Sequence, residues 1–311
     1  DVYIMHGGIM ERHISYTVKL TRVAHALATK LEEGEKPVFR DYELFFVLKN
    51  IYKNPEGLYL RNKDLSVAAY RRARNLLIKA QIINRDQDYP NTYRVLSIPD
   101  LPADDITCLA DPFCYISHLS AMQRYGLTDR RPEALHITTP ANPLIKNLIE
   151  EKMNNDYGCS IANIKNDEFL RLTITHHPHI VRKRKVENYS TKNWGEHINV
   201  KGTYARISTI GQTFLDMLEK PELCGGISHI IDVWKENARD YIEDIISSVN
   251  NAQKPIYKVR AGYILDEVMG IERSEIAKWE QYAQRGGSRI LDPTKPFINK
   301  YSEKWMISIN V

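Results

Sequence analysis

The hydrophobic spacing of the first hundred residues changes period once, and that change restricts the fold more than any other feature of the chain. Over residues 15–34, Leu20, Val23, Ala24, Leu27 and Leu31 recur at helical intervals and Gly34 closes the run. Pro37-Val38-Phe39 is too short for more than one rung of strand. Helical spacing then resumes over residues 40–52, with Leu44, Val47, Leu48 and Ile51 on one side. Asn54-Pro55-Glu56-Gly57 has the composition of a turn. Ser66 stands where a hydroxyl can accept an otherwise unpaired backbone N–H, and a third helix is expected to run from it to about Ala80. Its expected buried face is Ala69, Ala73, Leu76 and Ala80. Beyond it the spacing becomes strand-like. Residues 82–85 and 92–98 flank the turn-forming stretch 86–91, which predicts a β-hairpin.

Three helices followed by a two-stranded hairpin is the element order of a winged helix-turn-helix, whose third helix enters the major groove of DNA. The distribution of charge agrees with that order. The whole chain carries 43 Lys and Arg against 39 Asp and Glu, a net of +4. Between Arg61 and Arg85 the cations are Arg61, Lys63, Arg71, Arg72, Arg74, Lys79 and Arg85, opposed by Asp64 alone. This one stretch is therefore more basic than the entire protein, and the remainder is mildly acidic. At about 100° per residue, Arg71, Arg72, Asn75 and Lys79 share the side of the third helix away from Ala69, Ala73 and Leu76, with Arg74 at the flank. Arg can donate two hydrogen bonds to a guanine edge, Asn can pair with adenine, and Lys neutralises phosphate. The hairpin adds Tyr93 and Arg94. The expected DNA-binding set is Arg61, Lys63, Ser66, Arg71, Arg72, Arg74, Asn75, Lys79, Arg85, Tyr93 and Arg94. Without a second signal, the same stripe describes a solvated surface helix.

Two prolines and three carboxylates in Pro99-Asp100-Leu101-Pro102-Ala103-Asp104-Asp105 are expected to exclude helix and interior strand, which makes residues 99–105 a linker between domains at 12–98 and 106–311. The second domain reads as mixed α/β. Helices are expected at 112–125 and 143–155, strands at 134–138, 169–175, 181–186 and 202–207. Further helices follow at 209–219, 226–236, 239–250, 259–269 and 273–285. The fold class is α+β, a winged helix-turn-helix followed by a mixed domain ending in several helices.

Three segments of that second domain resemble a known family. Asp111-Pro112-Phe113-Cys114-Tyr115-Ile116-Ser117-His118-Leu119-Ser120-Ala121-Met122-Gln123-Arg124-Tyr125-Gly126-Leu127 is similar to the opening of the C-terminal domain of AbiEi-family antitoxins. Residues 206–226 and 258–267 look similar as well. The most distinctive piece is Leu215-Asp216-Met217-Leu218-Glu219-Lys220-Pro221-Glu222-Leu223-Cys224-Gly225-Gly226. The resemblance implies an antitoxin of a type IV toxin–antitoxin pair, linked to abortive phage infection. Such a protein binds inverted repeats in its own promoter as monomers or a dimer. It also opposes a nucleotidyltransferase toxin without a stable complex. The chain departs from shorter relatives in residues 54–61 and in the tail after Gly286. Read physically, Pro221 and Gly225-Gly226 end one helix and begin another, and Gly262 permits close packing.

Signals for catalysis are weak. His176-His177-Pro178-His179 invites a metal reading, but Pro178 interrupts it and neither an HExxH motif nor a cysteine pair accompanies it. Gly286-Gly287-Ser288 resembles the start of a nucleotidyltransferase site, yet no paired carboxylates follow. There is no P-loop, GxSxG or GxGxxG motif. No enzyme activity, metal or cofactor is therefore expected. Arg182, Lys183, Arg184 and Lys185 form a second cationic knot suited to nucleic acid or a partner. A metal-dependent or RNA-binding regulator or enzyme using the histidine cluster is the alternative. The four cysteines have no CxxC spacing and read as reduced cytoplasmic thiols. No apolar run reaches membrane-spanning length, and residues 1–9 lack the pattern of an export signal.

Overall fold

The computed structural model describes residues 18–55, 60, 63–284 and 289–311. The chain is mixed α and β, and it divides into two compact units. The first gathers the residues up to Asp86, Asn91–Asp100 and Asn163–Arg171, and the second gathers Gln87–Pro90, Leu101–Ala162 and Leu172–Val311.

In the first unit, α1 (Arg22–Glu32) starts at Thr21, whose hydroxyl accepts the Ala24 N–H at 3.2 Å. The unit continues through β1 (Val38–Arg40), α2 (Asp41–Lys53), α3 (Val67–Lys79), β2 (Ile83–Arg85) and β3 (Thr92–Val95). The strands form an antiparallel sheet in the order β1-β3-β2, with Val38 opposite Arg94 and Arg85 opposite Tyr93. Leu27 and Leu31 of α1, Leu44, Phe45 and Leu48 of α2, and Val38, Ile83 and Val95 of the sheet are buried. The buried face of α3 is Val67, Tyr70, Ala73 and Leu77, rotated from the expected Ala69, Ala73, Leu76 and Ala80. The cause is Tyr70, whose ring meets Phe45 edge-on at 5.5 Å and whose hydroxyl donates to Asp41. Burying one aromatic ring outweighs burying small alanines.

The second unit opens with α4 (Ala103–Ala110), where the sequence predicts a linker. The features taken as helix breakers are in fact helix-start signals. Pro102 occupies the N-cap, where a missing N–H costs nothing, and Asp104 and Asp105 sit in the first turn against the positive helix end. After it come β4 (Tyr115–Ile116), α5 (His118–Arg124), β5 (Leu135–Pro140), α6 (Leu144–Tyr157), β6 (Ile180–Val181), β7 (Arg184–Thr191), β8 (His197–Asn199) and β9 (Arg206–Ser208). The strands make one mixed sheet in the order β6-β7-β5-β4-β9-β8, parallel between β5 and β7 and between β4 and β9. The helix expected at 112–125 is thus a buried strand and then a short helix. The strand expected at 169–175 is not formed, and residues 171–178 have no regular structure. The strand expected at 202–207 is confined to β9.

The helical end comprises α7 (Ile210–Glu219), α8 (Ile227–Asn237), α9 (Ile242–Asn251), α10 (Pro255–Gly262), which runs on as a π-helical turn over Tyr263–Val268, and α11 (Ser274–Ala277), and α7 packs on α5. A short ribbon of β10 (Tyr301–Ser302) and β11 (Ile307–Ser308) follows. Met122, Phe214, Leu218, Trp234, Leu265 and Trp305 belong to one buried cluster, so residues 111–127, 206–226 and 258–267 contribute to a common core. Gly225 and Gly226 both have φ of +89° at the junction into α8, as their expected stop-and-start role requires. A Cβ on Gly262 would lie 2.2 Å from the Trp305 ring, which explains that glycine by close packing.

Candidate functional site

Each unit holds one arrangement with chemical potential. In the first, the Ser66 hydroxyl caps α3 by accepting the Ala69 N–H at 3.2 Å. One side of the helix is committed to the core, so Arg71, Arg72, Asn75 and Lys79 are left exposed together on the other. Lys63 before the helix and Arg85 on β2 are exposed too. Among the described residues, no carboxylate forms an ion pair with Arg71, Arg72, Lys79 or Arg85. The face therefore keeps its positive charge available to a ligand.

Other members of the expected set are occupied elsewhere. Arg74 pairs with Asp41 at 2.7 Å with only 14% of its side chain exposed, and its guanidinium lies 5.2 Å from the Tyr93 ring and 5.6 Å from that of Tyr70. Tyr93 is buried beneath it. Arg94 is half-buried and pairs with Asp100 at 3.7 Å. Arg74 and Tyr93 join the helix to the sheet, Arg94 is tied to the segment after β3, and none of the three forms part of the exposed stripe. Arg61 lies outside the described residues, as does Gly286-Gly287-Ser288. Sequence spacing places a residue on a face. It does not reveal that an acid far along the chain meets it there.

The second cationic knot is also partly spent. Arg182 and Lys183, with φ of +47° and +65°, turn the chain between β6 and β7. Arg182 pairs with Asp88, and Arg184 with Asp104 at 2.6 Å, which leaves Lys183 and Lys185 exposed.

The second unit contains a cavity of about 500 Å³, lined among others by His118, His136, His177, His179, Tyr189 and Lys220. That volume is within the range of small-molecule sites. Thr138 donates to the Ser117 hydroxyl at 2.8 Å, which is 2.7 Å from Nδ1 of His118. If that chain of donors ends on Nδ1, the His118 proton resides on Nε2. His118 takes a left-handed φ of +51° and is almost wholly buried. Burial first, then His136 and Lys220, push its pKa down to about 3, so the ring is neutral at physiological pH. His136, 3.3 Å from Glu187, is likewise lowered by burial. On α7 the buried Asp216 accepts from Gln212 at 2.7 Å, and burial raises its pKa to about 8.

The histidine cluster of the sequence does not act as a unit. His176 and His179 are exposed, whereas the His177 side chain is 2% exposed, with Nε2 2.9 Å from Asp111 and Nδ1 3.0 Å from the Tyr89 hydroxyl. Tyr89, Asp111, Ser117, His118 and Thr138 were not singled out as site residues in the sequence. They share no spacing motif, and only tertiary folding joins Tyr89 and Asp111 to His177, and Thr138 to Ser117 beside His118.

No family model matches the chain, and no curated protein matches it. Among solved structures it is similar to the crystal structure of the RV2827C protein from Mycobacterium tuberculosis, with 10% identity over 93% of this chain and 92% of that one and a TM-score of 0.44. A likeness at that level decides neither the details of the fold nor the function. Among the described residues, no helix is long and apolar enough to cross a membrane.

Proposed function

We propose that the protein is a DNA-binding transcriptional autorepressor and the antitoxin of a type IV toxin–antitoxin pair, acting in the cytoplasm. The observation that carries the DNA-binding part is the exposed stripe of Arg71, Arg72, Asn75 and Lys79 on a helix whose opposite face is packed. In this reading α1 to α3 with the β1-β3-β2 sheet are a winged helix-turn-helix, α3 is the major-groove helix and the β2–β3 hairpin is the wing, contributing Arg85. Lys79 and Lys63 neutralise phosphates, while Arg71, Arg72 and Asn75 are the groups suited to base edges. Inverted repeats in the promoter would each take one copy of the reading helix.

The antitoxin part rests on the resemblance of residues 111–127, 206–226 and 258–267 to AbiEi-family proteins. Its partner would be a nucleotidyltransferase toxin, opposed without a stable complex.

The test is binding to duplexes from the region upstream of the protein's own reading frame, measured by anisotropy across a salt series. Wild-type protein should lose affinity steeply with salt. Replacing Arg71 and Arg72 together by Ala should weaken binding roughly 10- to 100-fold at physiological salt and relax sequence preference, whereas Lys63→Ala/Lys79→Ala should reduce the log–log salt slope by about two. Equal affinity and sequence preference in the arginine double variant would remove α3 from the account. Co-expression with a neighbouring nucleotidyltransferase tests the second part separately: failure to restore growth would leave a DNA-binding protein without antitoxin activity.

A further inference from the structure

The corner between α4 and β4 brings together three side chains of zinc-binding type that are remote in sequence. One ligand atom each of Asp111, Cys114 and His177 lie within 4.8 Å of one another, and His177 Nε2 is 2.9 Å from Asp111 Oδ2. Cys108, one turn earlier on α4, is buried next to the Cys114 thiol, and its sulfur accepts the Arg206 N–H at 3.3 Å. All four residues are enclosed by the second unit, with the two thiols and Asp111 buried. The sequence offers no warning of this grouping, because the two cysteines lack a CxxC spacing and the histidine follows more than sixty residues later.

We propose that Asp111, Cys114 and His177, with Cys108 as the fourth ligand, form a structural site for a divalent, borderline-soft metal ion, best matched by zinc. The donor set of one imidazole, one carboxylate and two thiolates is one that zinc accepts.

The surroundings are those of a supported metal site. His177 Nδ1 is held by the Tyr89 hydroxyl at 3.0 Å, which fixes the ring with Nε2 toward Asp111. Asp111 Oδ1 accepts the Phe113 N–H at 2.8 Å, which fixes the carboxylate and leaves Oδ2 for the ion. Tetrahedral zinc holds its ligand atoms about 3.3–3.8 Å apart. The His177–Asp111 separation of 2.9 Å would open by a few tenths of an ångström and the thiol would draw in.

Charge also balances. Arg206 lies beside the cluster, with Nη2 3.9 Å from the Cys114 sulfur and 2.8 Å from the Cys108 carbonyl oxygen. A divalent cation plus this guanidinium cancels two thiolates and one carboxylate, so loading releases two thiol protons and leaves no net buried charge. The segment gaining most is residues 171–178, which has no helix or strand of its own. His177 would tie it through the ion to the α4–β4 corner.

The experiment is titration of the reduced, chelator-treated full chain with Co²⁺, followed by displacement with Zn²⁺. Wild type should show a sulfur-to-cobalt charge-transfer band and visible d–d bands saturating at one equivalent, both abolished by Zn²⁺, and zinc should raise the melting temperature. Cys114→Ser should lose most of the charge-transfer band. Tyr89→Phe, which preserves ring packing, should weaken Co²⁺ affinity roughly 10- to 100-fold. Cys159→Ser and the double variant His176→Ala/His179→Ala should bind as wild type does. Absence of the charge-transfer band in natively folded wild type would overturn the site, as would its persistence in Cys114→Ser. Loss of binding in the His176/His179 double variant would place the ion on surface histidines and overturn it equally.

Discussion

Arg71 and Arg72 of the first unit and Arg206 and Arg260 of the second are used in opposite ways. On α3 of the first, Arg71 and Arg72 face solvent without a carboxylate partner among the described residues. In the second, Arg260 is buried and donates to the Leu218 carbonyl at 2.6 Å and to that of Ile290 at 3.1 Å, while Arg206 donates to the carbonyls of Cys108 and Cys114. The same residue type is a free charge in one setting and a fastener for backbone in the other. The cationic knot at residues 182–185 lies between these extremes. Its two arginines are tied to Asp88 and Asp104, which stand 94 and 80 positions away in sequence, and its two lysines remain exposed. The difference shows why a run of cations in sequence is an incomplete argument for a nucleic-acid surface. What decides is whether tertiary folding delivers an acid or a carbonyl to each of them.

The comparison is broken most sharply by Arg260→Ala. Removing a buried guanidinium strands two carbonyl oxygens, so the variant should lose about 3–5 kcal/mol of unfolding free energy in urea, with operator binding by the remaining folded protein unaltered. A small stability loss would mean that Arg260 is not the fastener its hydrogen bonds suggest. Arg71→Ala/Arg72→Ala should do the reverse, with its effect on binding and almost none on the denaturation midpoint.

A smaller effect tests the buried carboxylate of α7. Asp216 holds its proton to about pH 8 in the folded chain, whereas an unfolded Asp releases it near pH 4. Between those values the unfolded state binds fewer protons, so this group makes stability fall as pH rises, at up to about 1.4 kcal/mol per pH unit. Asp216→Asn removes that slope, and the variant should gain on wild type as pH rises from 5 to 8. A parallel pair of stability–pH curves would mean that Asp216 titrates normally. The smallest expected change is that of Lys183→Ala/Lys185→Ala. Operator affinity should shift by less than about threefold if these lysines only cover the surface. A change as large as that of the α3 variant would extend the DNA footprint to the second unit.

Much of the first unit was legible in sequence because its elements are long, periodic and capped locally. Ser66 caps α3 as the residue order suggests, and the exposed stripe follows from helical geometry once one face is buried. The register of that face was not legible, since it depends on a Tyr70–Phe45 contact between two helices. In the second unit the helices from α7 onward were readable from apolar spacing and glycines. Tyr115-Ile116 was not, because a two-residue central strand carries too few residues to display a period. Residues 169–175 show the opposite error, having alternation without a neighbouring strand to pair with.

By itself the sequence determined the order of helices and hairpin, the concentration of positive charge before the hairpin, and the glycines at Gly225, Gly226 and Gly262. All of these follow from interactions within a few residues or from steric limits at one position. Tertiary structure alone decided which arginines stay free and that Asp111, Cys114 and His177 converge. Those outcomes depend on groups far apart along the chain. No local propensity encodes that distance; the packing of the sheet and helices sets it.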